Sequence, residues 1–87
     1  MTKRLNQKVA LVTGGASGFG KATAMAFKEE GAEVYISDIN EELGKQVSDE
    51  IGVHFISHDV TKTDDWTKVI DQIKTQSSKL NILVNNA

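Results

Sequence analysis

A glycine-rich segment at residues 13–20, Thr-Gly-Gly-Ala-Ser-Gly-Phe-Gly, has the residue types and spacing best suited to holding a phosphate. It directly follows an apolar run, so we expect a strand that enters a tight turn and then opens a helix. Gly14 allows the turn, while Gly18 and Gly20 allow close approach of a ligand and close packing of helix on strand. Backbone N–H groups at such a helix N-terminus bind a pyrophosphate, and the Ser17 hydroxyl can reach a phosphate oxygen. The segment therefore predicts dinucleotide binding rather than a purely structural turn.

Asp38 is the second candidate binding residue, since it ends the next strand-like segment 18 residues after Gly20. That is close to the spacing of about 20 expected for an acidic residue that binds the adenosine ribose. A carboxylate at this position accepts hydrogen bonds from the hydroxyls of an adenosine ribose and repels a 2′-phosphate. No Arg or Lys stands at Ser17 or directly after Asp38, where the residue is Ile39. The position favours NAD over NADP; a solvated strand end or a helix cap is the alternative.

Asp59 and Val60 follow a third apolar segment. An aspartate there can accept a hydrogen bond from an exocyclic amine, and a valine can pack against a purine face. Spacing alone does not separate such an adenine site from an ordinary turn.

The two histidines, His54 and His58, lie on one segment at an even spacing, which places both on one face of a strand. Such a pair can chelate a metal ion, but no carboxylate or cysteine arrangement accompanies it. We therefore expect surface histidines and no metal site. Tyr35, in the middle of a strand, and Trp66, on a helical apolar stripe, are expected to lie in the core.

The hydrophobic pattern around these residues alternates between strand and helix. Near-continuous apolar segments predict strands at residues 8–13, 33–38, 53–58 and 80–84. Apolar residues at helical spacing predict helices from 19 to about 30, from 41 to 51 and from about 64 onward. Strands that alternate with helices pair in parallel through right-handed crossovers. We predict an α/β fold with a doubly wound parallel sheet, of which this chain is the first half, in strand order 3-2-1-4.

Local signals mark the ends of the helices. Asn40 and Thr63 are expected N-caps, since each precedes acidic residues and an apolar helical stripe. Gly31 and Gly52 are expected to end the preceding helices in the left-handed region. The carboxyl ends of strands 1 and 4 flank the topological switch, so the glycine turn and the Asn85-Asn86 pair should meet there.

Composition narrows the function classes. The chain has 87 residues, enough for one small domain, with 39% hydrophobic and 25% charged residues, as in soluble globular proteins. A formal net charge of −2 predicts no nucleic-acid or acidic-membrane partner. The absence of cysteine excludes disulfides and thiolate metal sites. The first residues lack the pattern of a signal peptide and no apolar run is long enough for a bilayer, so we expect a cytoplasmic protein.

In combination, these motifs resemble the short-chain dehydrogenase/reductase family over residues 5–87. The resemblance rests on Thr13-Gly14-x-x-x-Gly18-x-Gly20, Asp38, Asp59-Val60 and Leu83-Val84-Asn85-Asn86-Ala87. It implies a Rossmann-type fold in which Gly14, Ser17, Gly18, Phe19 and Gly20 hold the pyrophosphate, Asp38 selects NAD, Asp59 and Val60 hold adenine, Asn85 supports the sheet, and Asn86 and Ala87 lie along the cofactor. Two small departures are Phe19, where an aliphatic residue is commoner, and Asn81, where an aspartate often stands.

The family's catalytic serine, its tyrosine with a lysine four residues later, and its assisting asparagine lie beyond the Asn-Asn-Ala segment. Tyr35 has no lysine four residues later and does not replace them. The resemblance implies an NAD-dependent oxidoreductase acting on an alcohol or ketone, homo-oligomeric at full length. We expect this chain to be its cofactor-binding half, truncated at its carboxyl end and inactive by itself.

Other interpretations differ in class. The chain can instead be a complete, non-catalytic module that binds NAD or self-associates. A Rossmann-like methyltransferase or nucleotide-sugar enzyme is disfavoured by the glycine motif and the Asn-Asn-Ala segment. We also expect strand 4 to be an open edge although its sequence suits burial, which predicts poor solubility or self-association of the isolated chain.

Overall fold

The computed structural model describes residues 4–59 and 61–86, and within them strands and helices alternate. The strands are β1 (Val9–Thr13), β2 (Glu33–Asp38), β3 (His54–Ser57) and β4 (Ile82–Asn85), and the helices are α1 (Gly18–Glu29), α2 (Glu41–Ile51) and α3 (Thr63–Ser77). These strands form one parallel sheet in the order β3-β2-β1-β4, which confirms the predicted order. Each of the first three strands is followed by a helix that returns the chain to the start of the next strand, as parallel pairing requires.

Both faces of the sheet are covered, which explains why β1 and β2 are apolar without alternation. On one face Val12 and Ile36 pack in a cluster that includes Val47 of α2. On the other face Leu11 packs in a cluster with Ile73 of α3. Every residue of β1 is buried as a result.

The predicted N-cap of α2 and the predicted glycines at the ends of α1 and α2 are observed. The Asn40 side chain accepts a hydrogen bond from Leu43 N at 3.1 Å at the start of α2. Gly31 after α1 and Gly52 after α2 have φ values of 95° and 72°, the left-handed conformation that glycine adopts without strain. These predictions are confirmed.

The start of α3 differs from the prediction. Thr63 is the first helical residue, and Lys62 occupies the N-cap position without a side-chain hydrogen bond. The preceding turn is held instead by Asp59, whose Oδ1 accepts from the backbone N and the hydroxyl of Thr61 at 3.0 and 2.6 Å. This turn sets where α3 begins, so the N-cap is Lys62, one residue before the predicted Thr63.

The β4 side of the sheet is less covered than the centre. Leu83 of β4 is 51% exposed, whereas Leu11, its partner on β1, is fully buried. Within residues 4–59 and 61–86, β4 pairs with β1 alone. No helix in this described part of the chain is long and apolar enough to cross a membrane.

Candidate dinucleotide-binding site

The turn after β1 is held against the end of β2. Gly14 adopts a positive φ of 65°, which turns the chain out of the strand. Gly15 N donates to the Ser37 carbonyl at 3.1 Å, and Ala16 N donates to Asp38 Oδ2 at 3.2 Å. The glycine turn and the predicted ribose acid therefore lie together at the carboxyl edge of the sheet.

The glycines of this turn lack side chains for different reasons. A Cβ on Gly20 would collide with the Gly14 carbonyl oxygen and lie 2.9 Å from Asn86 Nδ2, and a Cβ on Gly15 would collide with Ile36. A Cβ on Gly18 would meet nothing within 4 Å. Packing within the protein thus explains why positions 15 and 20 have no room for a side chain. Gly18 faces open space, where a ligand has room to approach the backbone.

The N-terminus of α1 opens toward this space. Ser17 is the N-cap, and its Oγ accepts from Gly20 N at 3.4 Å while donating to the Gly14 carbonyl at 2.8 Å. The first intrahelical hydrogen bond runs from Lys21 N to the Ser17 carbonyl, so the N–H groups of Gly18 and Phe19 precede the helical ladder. No acidic residue lies in the first turn. The helix end therefore presents donors and a positive dipole end to an anion.

Asp38 is fixed in orientation by two backbone donors. Besides the bond from Ala16, its Oδ1 accepts from Asn40 N at 3.0 Å. The side chain thus contributes to the turn into α2, which was the alternative role for this aspartate. It is also half-buried at the rim of the turn, where a ribose hydroxyl can reach it.

Thr13 positions the end of β4, a role that the sequence motif did not assign to it. Its hydroxyl donates to Asn85 Oδ1 at 3.0 Å and accepts from Asn86 N at 2.9 Å. Asn86 Nδ2 in turn donates to Ser17 Oγ at 3.3 Å. The only sequence signal for this role is a polar residue at the end of a buried strand. Asn85 and Asn86 are thereby brought beside the glycine turn, as predicted.

The end of β3 joins the same edge through His58. His58 N donates to the Asp38 carbonyl at 3.1 Å, which places the following Asp59 near the end of β2. Hydrogen bonds from Thr61 lower the pKa of Asp59, which is half-buried. Two predicted cofactor contacts, Val60 and Ala87, lie outside the described residues.

The expectation that both histidines lie at the surface is wrong for His58. Its ring is 2% exposed, because the chain beyond β3 folds under Trp66, whose ring lies edge-on at 4.5 Å between centroids. Trp66 itself is half-buried rather than central in the core. His54 is exposed, as expected, and pairs with Glu33 at 3.2 Å. No cluster of three or more potential metal ligands occurs within residues 4–59 and 61–86.

The chain is similar in sequence to known proteins over nearly all of its length. A family model described as short chain dehydrogenase matches residues 8–87. A 3-beta-hydroxysteroid dehydrogenase from Comamonas testosteroni is 49% identical over 89 residues, which cover 100% of this chain and 35% of that protein. A cyclopentanol dehydrogenase from Comamonas sp. is 48% identical, with 97% of this chain and 36% of that protein covered.

Solved structures agree with the sequence relatives. The crystal structure of a hydroxysteroid dehydrogenase from Escherichia coli superposes with a TM-score of 0.92 at 35% identity, covering 99% of this chain and 38% of that chain. A short chain dehydrogenase from Mycobacterium smegmatis superposes with a TM-score of 0.93 at 36% identity. The chain spans about a third of the length of the curated relatives that it matches.

Proposed function

Since the chain belongs to the short-chain dehydrogenase family, we propose that it forms the cofactor-binding half of an NAD-dependent oxidoreductase acting on an alcohol or ketone. Members of this family typically bind a nicotinamide dinucleotide. The observation that carries the proposal is the open space at Gly18, beside the N-terminus of α1.

The residues at this edge fit a pyrophosphate. The N–H groups of Gly18 and Phe19 precede the helical ladder, and Gly14 and Gly20 let the turn and the helix approach each other closely. The Ser17 hydroxyl, 2.8 Å from the Gly14 carbonyl, lies at the same helix end and can reorient toward a phosphate oxygen. We assign the pyrophosphate to these five residues.

Asp38 is the proposed determinant of NAD over NADP. Its carboxylate is held at the rim by two backbone N–H groups, so its negative charge stays near the position assigned to the ribose. A 2′-phosphate would meet that charge, and the residue that follows Asp38 is the uncharged Ile39, 68% exposed. The discrimination follows from charge repulsion.

The remaining cofactor contacts are assigned from the resemblance to the family. Asp59 and Val60, which follow β3 in the sequence, would hold adenine, while Asn86 and Ala87, which follow β4, would lie along the cofactor. When bound, the nicotinamide ring accepts or donates the hydride. The chain's own residues would hold and orient the cofactor.

The catalytic groups are not assigned to this chain. A catalytic tyrosine of this family needs a lysine four residues later, and Tyr35 is followed at that distance by Ile39. Tyr35 is also 1% exposed, and its hydroxyl is bonded to Ser77 at 2.6 Å at the opposite edge of the sheet. We propose that the 87-residue chain by itself does not turn over substrate.

A pair of glycine substitutions tests the binding assignment. Gly18→Ala should weaken NAD binding at least about tenfold, measured by calorimetric titration, because the new Cβ enters the proposed ligand space. The same change should leave the melting temperature unchanged or raised, since alanine is favoured over glycine in a helix by roughly 0.5–1 kcal/mol.

Gly44→Ala in α2 is the matched control. Its Cβ would collide with the Phe55 ring, away from the proposed site. Overpacking costs about 1–3 kcal/mol and the helical gain offsets part of it, so we expect a net loss of about 1 kcal/mol of stability with unchanged NAD affinity. The proposal is refuted if the wild-type protein binds neither NAD nor NADP, or if Gly18→Ala binds NAD as tightly as wild type.

A further inference from the structure

His58 connects the carboxyl ends of β2 and β3. Its backbone N donates to the Asp38 carbonyl at 3.1 Å, and its ring Nδ1 is 3.1 Å from Ser37 Oγ. Both the ring and the Ser37 side chain are almost completely buried, at 2% and 1% exposure. Two neighbouring residues of β2 are thus attached to one residue after β3 by a main-chain and a side-chain hydrogen bond.

The residues that follow His58 are hydrogen-bonded to α3, and the His58 ring packs against the same helix. Asp59 N donates to Asp65 Oδ2 at 3.0 Å, and the His58 ring packs edge-on against Trp66 of the same helix. The ring therefore lies between β2 and α3. Its position affects both carboxylates assigned to the adenosine end of the cofactor, Asp38 on one side and Asp59 on the other.

The buried environment accommodates a neutral imidazole better than an imidazolium. Nε2 of His58 is buried without a hydrogen-bond partner among residues 4–59 and 61–86. If Nδ1 carries the single proton of the neutral ring and donates it to Ser37, Nε2 bears only a lone pair. Protonation adds a charge and an N–H group at Nε2, where no acceptor lies within this described part of the chain, and a buried donor without a partner is costly.

The charged groups around the ring act in opposite directions. Asp65 from α3 and Asp59 from the adjoining turn favour the protonated form, whereas Ser37 of β2 and Trp66 of α3 carry no charge. Burial outweighs the two carboxylates and lowers the pKa of His58 from its ordinary value. The neutral ring is therefore the form that the fold stabilises.

We propose that neutral His58 is a positioning residue for the adenosine end of the dinucleotide site, and that protonation of its ring loosens the turns that carry Asp38 and Asp59. This inference rests on the proposed NAD-binding function and adds a pH dependence to it. His58 does not touch the cofactor in this scheme. It acts through the main chain at Asp38 and through the turn at Asp59.

The test is the dissociation constant of NAD measured from about pH 8 to about pH 5. If only the neutral-His58 form binds well, the dissociation constant rises as the pH falls below the pKa of His58 in the free protein, by at most about tenfold per pH unit. His58→Asn keeps a hydrogen-bonding group near the Nδ1 position and does not titrate, so its curve should be flat over this range. His54→Asn is the matched control, because His54 is exposed at the opposite end of β3, and it should follow the wild-type curve.

The outcomes separate the two proposals. If wild type binds NAD and its pH dependence persists in His58→Asn, the positioning role is refuted while the NAD assignment stands. If no variant binds NAD at any pH, the proposed function fails and this inference fails with it.

A second measurement applies where His58→Asn does not fold. NMR titration of the His58 imidazole in the wild-type protein should show that saturating NAD lowers its pKa further, since by linkage a ligand that prefers the neutral form opposes protonation. An imidazole pKa that is unchanged by NAD overturns the inference.

Discussion

Thr13 joins β1 to the end of β4, and replacing it by valine tests how the candidate site is held together. The side chain is fully buried. Its hydroxyl donates to Asn85 Oδ1 at 3.0 Å and accepts from Asn86 N at 2.9 Å. Thr13→Val keeps the shape and the β-branching of the side chain while removing both hydrogen bonds, together with the longer 3.3 Å interaction of the hydroxyl with the Val84 carbonyl.

The expected loss follows from those two bonds. Each contributes about 0.5–1.5 kcal/mol net to stability. The methyl group that replaces the hydroxyl returns less than about 1 kcal/mol of apolar burial. Asn85 is exposed and Asn86 is half-buried, so water partly satisfies the groups left behind. We expect the free energy of unfolding to fall by about 1–2 kcal/mol.

Urea denaturation followed by far-ultraviolet circular dichroism measures this change, with the denaturant slope unaltered. NAD affinity should fall as well, because Asn86 is no longer held beside Ser17. The control is Thr23→Val in α1, which removes a solvent-exposed hydrogen bond to the Phe19 carbonyl and should change stability by less than about 0.5 kcal/mol. If Thr13→Val is as stable as wild type and binds NAD equally well, the Thr13 hydroxyl does not hold the end of β4 beside the glycine turn.

Two further substitutions test whether cofactor binding depends on the carboxyl edge of the sheet alone or also on the opposite edge. Asp38→Asn removes the charge at the ribose position, so the ratio of NADP to NAD dissociation constants should fall, as measured by titration with each cofactor; an unchanged ratio would exclude charge repulsion as the source of the preference. Tyr35→Phe removes the 2.6 Å bond to Ser77, and because Ser77 Oγ also donates to Glu33 Oε2 at 2.9 Å, we expect only about 0.5–1 kcal/mol lower stability in urea and unchanged NAD affinity. A marked loss of NAD binding in Tyr35→Phe would show that the two edges are coupled.

The order of strands and helices was predictable because it follows from local patterns. Apolar runs without alternation indicate strands buried on both faces, and helices between them require parallel pairing. Gly31 and Gly52 mark helix ends through the backbone conformation that glycine allows. The edge at which the candidate site lies followed from the strand order, since the carboxyl ends of parallel strands lie at one edge. The short-chain dehydrogenase family was predicted from the resemblance of the glycine motif and the Asn-Asn-Ala segment to that family.

The tertiary structure decided what depends on contacts between distant segments. Gly18 and Gly20 look equivalent in the motif, but only the fold brings Gly14 and Asn86 against Gly20 and leaves space at Gly18. His58 looks like a surface residue at a strand end, but the packing of α3 buries it under Trp66. Sequence periodicity reports which face of its own element a residue occupies. Whether that face meets protein, solvent or a ligand is set by segments far along the chain, and only the folded structure shows them together.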